Sequence, residues 1–272
     1  MIELSMAFIF GLLFGSFLNV VILRIPKGES VVYDASYCYS CNNKLKPWHN
    51  IPLFSWLFLR GKCSFCKSKI SIQYPLIELV SALIFTAISS LYGLNFPSFL
   101  IALSFLMLLA LSMIDFKYKM VPDSLNILAI VFAVFGAWSV HGVLVNFKNA
   151  LLFAGGFTLL RFILSYYLTS SIYKAGLKTK TAWNRHYDRT PFVEAMGESD
   201  IMVAATMGAL LGVKLTLVAI FLSALLALPV MLLVMGRSKE EQRVPFVPFL
   251  ALATFIVFVY QNPIFSYIEA NY

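Results

Sequence analysis

Charged residues are scarce in this 272-residue sequence. Asp, Glu, Lys and Arg together make up 12% of it, whereas hydrophobic residues make up 60%. A soluble domain carries about a quarter charged residues, so this composition excludes an ordinary soluble protein. Uncharged runs recur instead, over residues 4–23, 79–114, 124–147, 215–236 and 244–268. Because about 20 apolar residues cross a bilayer as one helix, these runs predict a polytopic membrane protein.

The sequence also lacks two common catalytic patterns, since it has neither a Ser-His-Asp order nor a Gly-rich phosphate loop. Its three histidines, His49, His141 and His186, lie in predicted loops without metal-ligand spacing.

The uncharged runs predict eight helical spans, because every peptide group in lipid must be paired internally. The run 79–114 is too long for one span, and the turn sequence YGLNFP at 92–97 divides it into two. Residues 149–168 form another span if Arg161 faces inward or snorkels. Only 13 uncharged residues precede Lys214 from Ile201 onward, so the sixth helix is expected to begin upstream, near Phe192. Asp200 would then lie inside that helix, at the membrane edge.

The net charge of +8 is explained by topology. With alternating spans, segments 24–74, 115–123, 169–198 and 237–243 share one side and hold 18 of the 21 Lys and Arg residues. The positive-inside rule places these segments in the cytoplasm and both termini outside. No nucleic-acid partner is required. No basic region precedes residues 4–23, so this run is predicted to be the first span rather than a signal peptide.

Four cysteines lie in the polar insert at 24–74, as the motifs CYSC (Cys38, Cys41) and CSFC (Cys63, Cys66), with 21 residues between them. Two CxxC pairs at this spacing are typical of a tetrahedral zinc site with four cysteine ligands. A cytoplasmic location makes disulfides rare, which favours a structural metal for an insert too small to have its own core. Four unrelated free thiols or a redox pair are the alternatives.

Acidic residues mark the cytoplasmic ends of two spans. Asp115 ends the third span, where an anion opposes the helix dipole, and Asp200 begins the sixth. The predicted topology puts both at the same membrane level, and two adjoining carboxylates can share a proton as in aspartic proteases. An ion pair of Asp115 with Lys117 or Lys119 is the alternative. Asp123, after Pro122, is expected to be a structural N-cap.

Three further expectations concern packing and charge. Glu78 and Arg161 are predicted to form a buried ion pair. Glu194 and Glu198 are expected to be solvated acids at a helix start. The small residues around Gly15 are expected to serve helix packing.

Several motifs together resemble the bacterial type IV prepilin peptidases, the leader peptidases of pilus and type II secretion systems. The similar segments run nearly end to end: GSFLNVVILRIP at 15–26, the paired CxxC insert, NIPLFSWLFLRGKC at 50–63, YPLIELVSALIF at 74–85, IDFKYKMVPDSLN at 114–126, AMGESD at 195–200 and VPFVPFLAL at 244–252. Ser199 departs from the GxGD motif, where a second glycine is expected, and Gln73 stands where an arginine is expected.

The resemblance implies an all-α membrane enzyme with Asp115 and Asp200 as its catalytic pair. It implies cleavage of the basic leader of prepilins or pseudopilins at the cytoplasmic face of the bacterial inner membrane. Members with the cysteine insert are typically bifunctional and also methylate the new N-terminal residue with S-adenosylmethionine, but no residue can be assigned to binding that methyl donor. The expected units are a first helix at 1–23, a zinc-binding insert at 24–74 and a seven-helix peptidase domain at 75–272.

Two other functions fit some of these residues. One is a transporter or channel whose intramembrane acids bind a cation, although an ion pathway favours polar residues near the membrane midplane. The other is a pilus-assembly scaffold inactivated by Ser199, because a serine restricts the backbone next to Asp200 more than a glycine does.

Overall fold

A computed structural model describes residues 2–33, 36–174, 196–234, 245–264 and 266. Within these ranges the chain forms α-helices joined by turns, with two isolated antiparallel bridges and no β-strand. The helices are α1 (Ile2–Arg24), α2 (Phe54–Phe58), α3 (Gln73–Tyr92), α4 (Phe96–Tyr118), α5 (Asp123–Gly136), α6 (Trp138–His141), α7 (Val143–Lys174), α8 (Glu198–Val234) and α9 (Val247–Val259).

Five of these helices, α1, α3, α4, α7 and α8, are long and apolar enough to cross a membrane, and α5 and α9 are shorter apolar helices. The predicted turn at 92–97 is confirmed. Gly93 has a φ of 77°, and the Asn95 side chain caps α4 by accepting a 2.9 Å hydrogen bond from the Ser98 N–H. The all-helical, multi-span fold expected from the composition is therefore observed.

Helix α8 is two helices joined at Gly212. This residue has φ 69° and ψ −176°, and the Thr216 hydroxyl donates to the carbonyl of Met207 at 3.1 Å. In a straight helix, residues nine apart lie about 13 Å from each other along the axis, so the chain turns back at Gly212. We call the two parts α8a (198–211) and α8b (213–234). Counting them separately gives eight apolar helical segments in the expected order.

Two predicted boundaries are wrong. The sixth helix begins at Glu198 and not near Phe192, since Met196 and Gly197 are not helical. The turn between the fourth and fifth spans lies around Gly142, which has a φ of 87°, so α7 begins at Val143 and not at the expected residue 149. A hydropathy profile does not predict the first boundary, because the bundle accommodates α8a with only 14 residues. It does not predict the second, because an apolar chain can turn at a glycine.

Close packing of α1 on α3 sets the N-terminal half of the bundle. A Cβ on Gly15 would lie 2.8 Å from the Glu78 Cα, and a Cβ on Gly11 would overlap the Ala82 backbone. The expected small-residue packing around Gly15 is therefore confirmed. Helix α4 packs against α1, α3, α5 and α9, whereas α8 packs against α5, α7 and α9. These contacts bring the C-terminal end of α4 and the N-terminal ends of α8 and α9 to one region.

The turn at Gly212 supplies a stability test. Its backbone angles are accessible essentially only to glycine, so Gly212→Ala is expected to cost about 1–3 kcal/mol of unfolding free energy. Gly155→Ala is the matched control, because Gly155 lies within α7 and an added Cβ there has nothing within 4 Å. In thermal unfolding in detergent, the midpoint temperature should decrease clearly for Gly212→Ala and not for Gly155→Ala. Equal midpoints for both variants would contradict the reversal at Gly212.

Candidate functional site

Asp115 lies in the last turn of α4, with 9% of the residue exposed. Its carboxylate accepts a hydrogen bond from the backbone N–H of Val247, the first residue of α9. Its carbonyl accepts from the N–H of Lys119, which ends the helix in a left-handed conformation with a φ of 53°. The acidic side chain is thus held between the end of one helix and the beginning of another.

Asp200 lies in the first turn of α8a and is half-buried. Its carboxylate accepts from the backbone N–H of Gly197, just before the helix, and interacts electrostatically with that of Asp115. Ser199, the residue directly before Asp200, is helical and has no positive φ that would require a glycine. The serine therefore fits this turn without backbone strain, which removes the physical reason for regarding the site as inactivated.

The two aspartates come from elements 85 positions apart in the sequence, and the structure brings them to one end of the bundle. Their carboxylates lie where α4 ends and α8a begins, one buried and one half-buried. Carboxylates that come close together can hold one proton between them, which would let one act as a base while the other donates a hydrogen bond. The arrangement has the chemical elements of aspartic catalysis.

The predicted ion pair between Glu78 and Arg161 is wrong. The Arg161 guanidinium donates to Glu198 at 3.1 Å, whereas Glu78 accepts from the backbone N–H of Leu53 at 2.8 Å and from the Ser16 hydroxyl. Sequence spacing could not distinguish these partners, because they depend on how the insert and α8a fold against the bundle. Glu198 is at a helix start and exposed, as expected, yet it is ion-paired. Glu194 and His186 lie outside the described residues.

Asp123 is the first residue of α5, and Pro122 occupies the N-cap position in front of it. The expectation that Asp123 is the N-cap is therefore wrong by one residue. Its carboxylate still lies in the first turn, where an anion is favoured by the helix dipole. Its side chain is exposed.

The four cysteines of the insert converge. Their Sγ atoms all lie within 4.8 Å of one another, and the Cys38 and Cys66 sulfurs are 3.9 Å apart. Four thiolates at about 2.3 Å from a tetrahedral zinc would be about 3.8 Å apart, so the set fits a metal ion of this size. The cluster therefore has the donor set and spacing of a metal site.

Each CxxC pair lies on a tight turn of the same construction. The Cys38 N–H donates to the Asn43 carbonyl, and the Cys63 N–H donates to the Ser68 carbonyl. The residue directly after each pair, Asn42 or Lys67, is left-handed with a φ of 54° or 59°. Two such turns facing each other explain why four cysteines from separate motifs meet.

Hydrogen bonds in these turns lower the pKa of two of the four thiols. Burial acts to raise the pKa of Cys38, but hydrogen bonds from the Ser40 and Cys41 backbone lower that pKa to about 6. The Ser68 hydroxyl, 3.1 Å from the Cys66 sulfur, is the largest cause of a lowered pKa at Cys66. A backbone hydrogen bond from Asn43 acts to lower the pKa of Cys41, but burial and the neighbouring thiols raise that pKa to about 11. Since metal ligands must be deprotonated, the contacts at Cys38 and Cys66 favour binding of a cation, whereas Cys41 must lose its proton when the ion binds.

A cavity of about 680 Å³ lies between the insert and those ends of α1, α3 and α4 that the predicted topology places on the cytoplasmic side. Its walls combine aromatic, cationic and acidic side chains, including Tyr37, Trp56, Lys69, Gln73 and Glu78. Lys117 and Tyr118, two and three positions after Asp115, also line it. Sequence reasoning did not assign these residues to a site, because they come from four elements that only the folded insert brings together.

Known proteins resemble this chain over nearly its whole length. The model of the bacterial peptidase A24 N-terminal domain matches residues 9–92, and that of the type IV leader peptidase family matches residues 101–232. A Xanthomonas campestris pv. campestris protein named prepilin leader peptidase/N-methyltransferase is 32% identical, covering 93% of this chain and 89% of its own. Proteins of the same name from Neisseria gonorrhoeae (32%; 93% and 89%) and Bacillus subtilis (30%; 97% of each) are similar over comparable lengths. No solved structure matches the chain significantly.

Proposed function

Because the chain belongs to the type IV leader peptidase family, we propose that it removes the leader peptide of prepilins or pseudopilins and methylates the N-terminus that cleavage exposes. The observation that supports the peptidase part is the electrostatic interaction between the carboxylates of Asp115, where α4 ends, and Asp200, where α8a begins. Both activities appear in the name shared by the similar proteins, which are matched over most of their length.

The peptidase step uses the aspartate pair and one water. The ionised carboxylate takes a proton from the water, whose oxygen attacks the scissile carbonyl carbon. The protonated carboxyl donates a hydrogen bond to the carbonyl oxygen, which stabilises the charge of the tetrahedral intermediate. Its collapse breaks the C–N bond, and the leaving amine takes a proton from the pair. The Val247 and Gly197 N–H groups keep the two carboxylates oriented for these transfers.

We propose that this chemistry occurs at the cytoplasmic face of a bacterial inner membrane, with both termini on the other side. The support is the distribution of basic residues, 18 of 21 of which lie in the segments that this topology makes cytoplasmic. A substrate with an apolar helix and a basic leader would present its scissile bond at this interface. A cation pathway is less consistent with the site, because both aspartates lie at helix ends and not at mid-membrane.

We propose that the two activities reside in different units among the three expected ones, 1–23, 24–74 and 75–272. Asp115 and Asp200 both belong to the third unit, whereas the cysteine cluster and most of the cavity wall belong to the second. We propose that peptide cleavage resides in the helical unit. Methyl transfer from S-adenosylmethionine then depends on the insert.

We propose zinc as the metal of the cysteine cluster. Four thiolates are a soft donor set, which selects zinc over magnesium or calcium, and their spacing supports tetrahedral coordination. The role is structural, because a closed four-thiolate site leaves no position for a reacting ligand. Cys38, Cys41, Cys63 and Cys66 would then hold together an insert whose described part contains few buried apolar side chains.

The aspartate pair is tested by removing one charge at a time. Asp115→Asn and Asp200→Asn should each reduce cleavage by at least about 100-fold, since positioned acid–base groups contribute roughly 10²–10⁴-fold. Asp123→Asn is the matched control, because that carboxylate is exposed and lies at the start of α5. The measurement is mass spectrometry of the N-terminus of a co-expressed prepilin, which reports cleavage and added methyl together. Normal processing by either of the first two variants would refute the assignment.

The metal assignment predicts about one zinc per chain in the purified protein. Cys41→Ser and Cys63→Ser should each lose most of it, whereas Ser64→Ala, inside the same CxxC motif, should retain it. Elemental analysis of the three variants provides the measurement. A preparation in which the wild type lacks metal and all four thiols titrate freely is not compatible with the site.

A further inference from the structure

We propose that the cavity between the insert and the ends of α1, α3 and α4 binds the methyl donor, S-adenosylmethionine; this rests on the methyltransferase part of the proposed function. Small-molecule sites typically occupy about 300–1,000 Å³, and this cavity has about 680 Å³. Its size therefore suits a nucleoside-sized ligand.

The cavity walls match the parts of the donor. Trp56 and Tyr74 line the cavity with aromatic rings, and such rings can stack on a purine and attract a sulfonium cation. The rings of Tyr37 and Tyr39 also line it, but Arg24 already lies over the first at 5.7 Å and Lys27 over the second at 4.8 Å. Glu78, 7% exposed, offers a carboxylate that can accept from the ribose hydroxyls or the donor's ammonium group. S-adenosylmethionine has all of these groups, so one molecule of it could contact both the aromatic rings and the Glu78 carboxylate.

The cationic side of the cavity fits the donor's carboxylate. Lys69 from the insert and Lys117 from α4 both line the space, as do Arg24 and Lys27 at the end of α1. Among the described lining residues one is acidic, Glu78, and Lys27 is already paired with Glu29 at 3.9 Å. The excess of positive charge repels a basic leader peptide, so the cavity is poorly suited to hold that part of the substrate.

Two lining side chains have buried polar atoms that lack a partner. His49 Nδ1 and Gln73 Nε2 are buried and make no hydrogen bond to any described residue. A buried polar atom without a partner costs about 1–3 kcal/mol, so such atoms usually have a ligand or a water as partner. Both nitrogens belong to the wall of the same cavity, which supports a polar ligand there.

The position of the cavity explains how one protein performs both reactions. Lys117 and Tyr118 lie two and three residues after Asp115 on α4, so the amine freed by cleavage is expected to emerge near the proposed donor site. The amine's lone pair then forms a bond to the donor's methyl carbon. The carbon–sulfur bond breaks with its electron pair left on sulfur, giving the neutral thioether, and the nitrogen releases a proton to solvent.

Photolabelling tests the site without relying on turnover. The full-length protein in nanodiscs is irradiated with 8-azido-S-adenosylmethionine, and the labelled peptides are identified by mass spectrometry. We expect labels on insert residues 36–74 that excess S-adenosylhomocysteine prevents. Competable labelling confined to α7, α8 or α9 would overturn the proposal.

Calorimetry with S-adenosylhomocysteine gives a second readout. Lys69→Met should weaken binding about tenfold or more, since it removes a charged partner. Lys44→Met is the matched control, because it removes the same charge from an exposed insert position outside the cavity. An equal effect of both substitutions would contradict the site. A wild type that cuts prepilin but binds no S-adenosylhomocysteine rejects this proposal alone, whereas one that binds at 36–74 but cuts nothing rejects only the peptidase assignment.

A separate observation concerns residues 51–59, which include α2. We infer that this segment lies within the bilayer, although the insert was expected to be water-exposed. Leu53 donates to Glu78 at 2.8 Å, and Glu78 lies against Gly15 of α1. Gly15 is nine residues before the end of α1 at Arg24, which is about 13 Å along the helix axis. Glu78 itself is five residues after the start of α3 at Gln73, which is about 7.5 Å along that axis. The insert therefore reaches about 7 to 13 Å below the ends of α1 and α3.

The surface of this segment suits that depth. Between Asn50 and Arg60 there is no charged residue, and the side chains of Ile51, Phe54, Leu57 and Phe58 are 47%, 57%, 65% and 84% exposed. The opposite face of α2, through Ser55 and Trp56, lines the cavity. A short helix with one apolar face outward at this level is expected to contact acyl chains, and the Glu78 carboxylate satisfies the Leu53 N–H that lipid could not.

Lipid contact is tested by depth-dependent quenching. A fluorescent amino acid is placed at Phe58, or as a control at Tyr33, which is also an exposed insert residue. In bilayers containing acyl-chain-brominated lipid, we expect strong quenching at position 58 and little at position 33. Equal quenching at the two positions, or a benzoylphenylalanine at 58 that crosslinks to a second protein chain and not to lipid, would overturn the inference.

Discussion

A carboxylate that is withdrawn from water is costly, and the organisation of this protein follows from how three of them are accommodated. Asp115, Asp200 and Glu78 each accept a hydrogen bond from a backbone N–H outside their own helix. The donors are Val247 at the start of α9, Gly197 before α8a, and Leu53 in the insert. Each buried acid thus fixes where another part of the chain must lie.

These bonds explain why the site and the insert adjoin. The N–H groups that orient the aspartate pair come from the starts of two helices, which places the ends of α4, α8a and α9 together. The hydrogen bond from the Leu53 N–H to Glu78 fixes the position of the insert, because it holds α2 against α1 and α3. The space left between the insert and the helix ends is the cavity, whose wall includes the last turn of α4. A protein that first cuts a peptide and then modifies the new end gains from this proximity, since the product need not leave the surface.

Glycine determines the path of the chain where hydropathy is uninformative. Gly142 and Gly212 turn uncharged or nearly uncharged runs back through the bundle with positive φ, and Gly11 and Gly15 let α1 approach the α3 backbone. The first two positions are conformational requirements, and the last two are steric ones. Together they create short helices and close contacts in a region that a hydrophobicity profile describes as uniform.

The sequence by itself determined the properties that depend on composition and spacing. Charge scarcity predicted a helical membrane protein, because lipid forces internal pairing of every peptide group. The paired CxxC motifs predicted a cluster of four thiols, and the aspartates at two helix ends predicted carboxylates at one membrane level. Only the tertiary structure decided the partners of Glu78 and Arg161, the turn at Gly212, and the cavity lined by Trp56 and Gln73. Those features depend on side chains meeting across elements distant in sequence, and local pattern contains no information about which distant surfaces will touch.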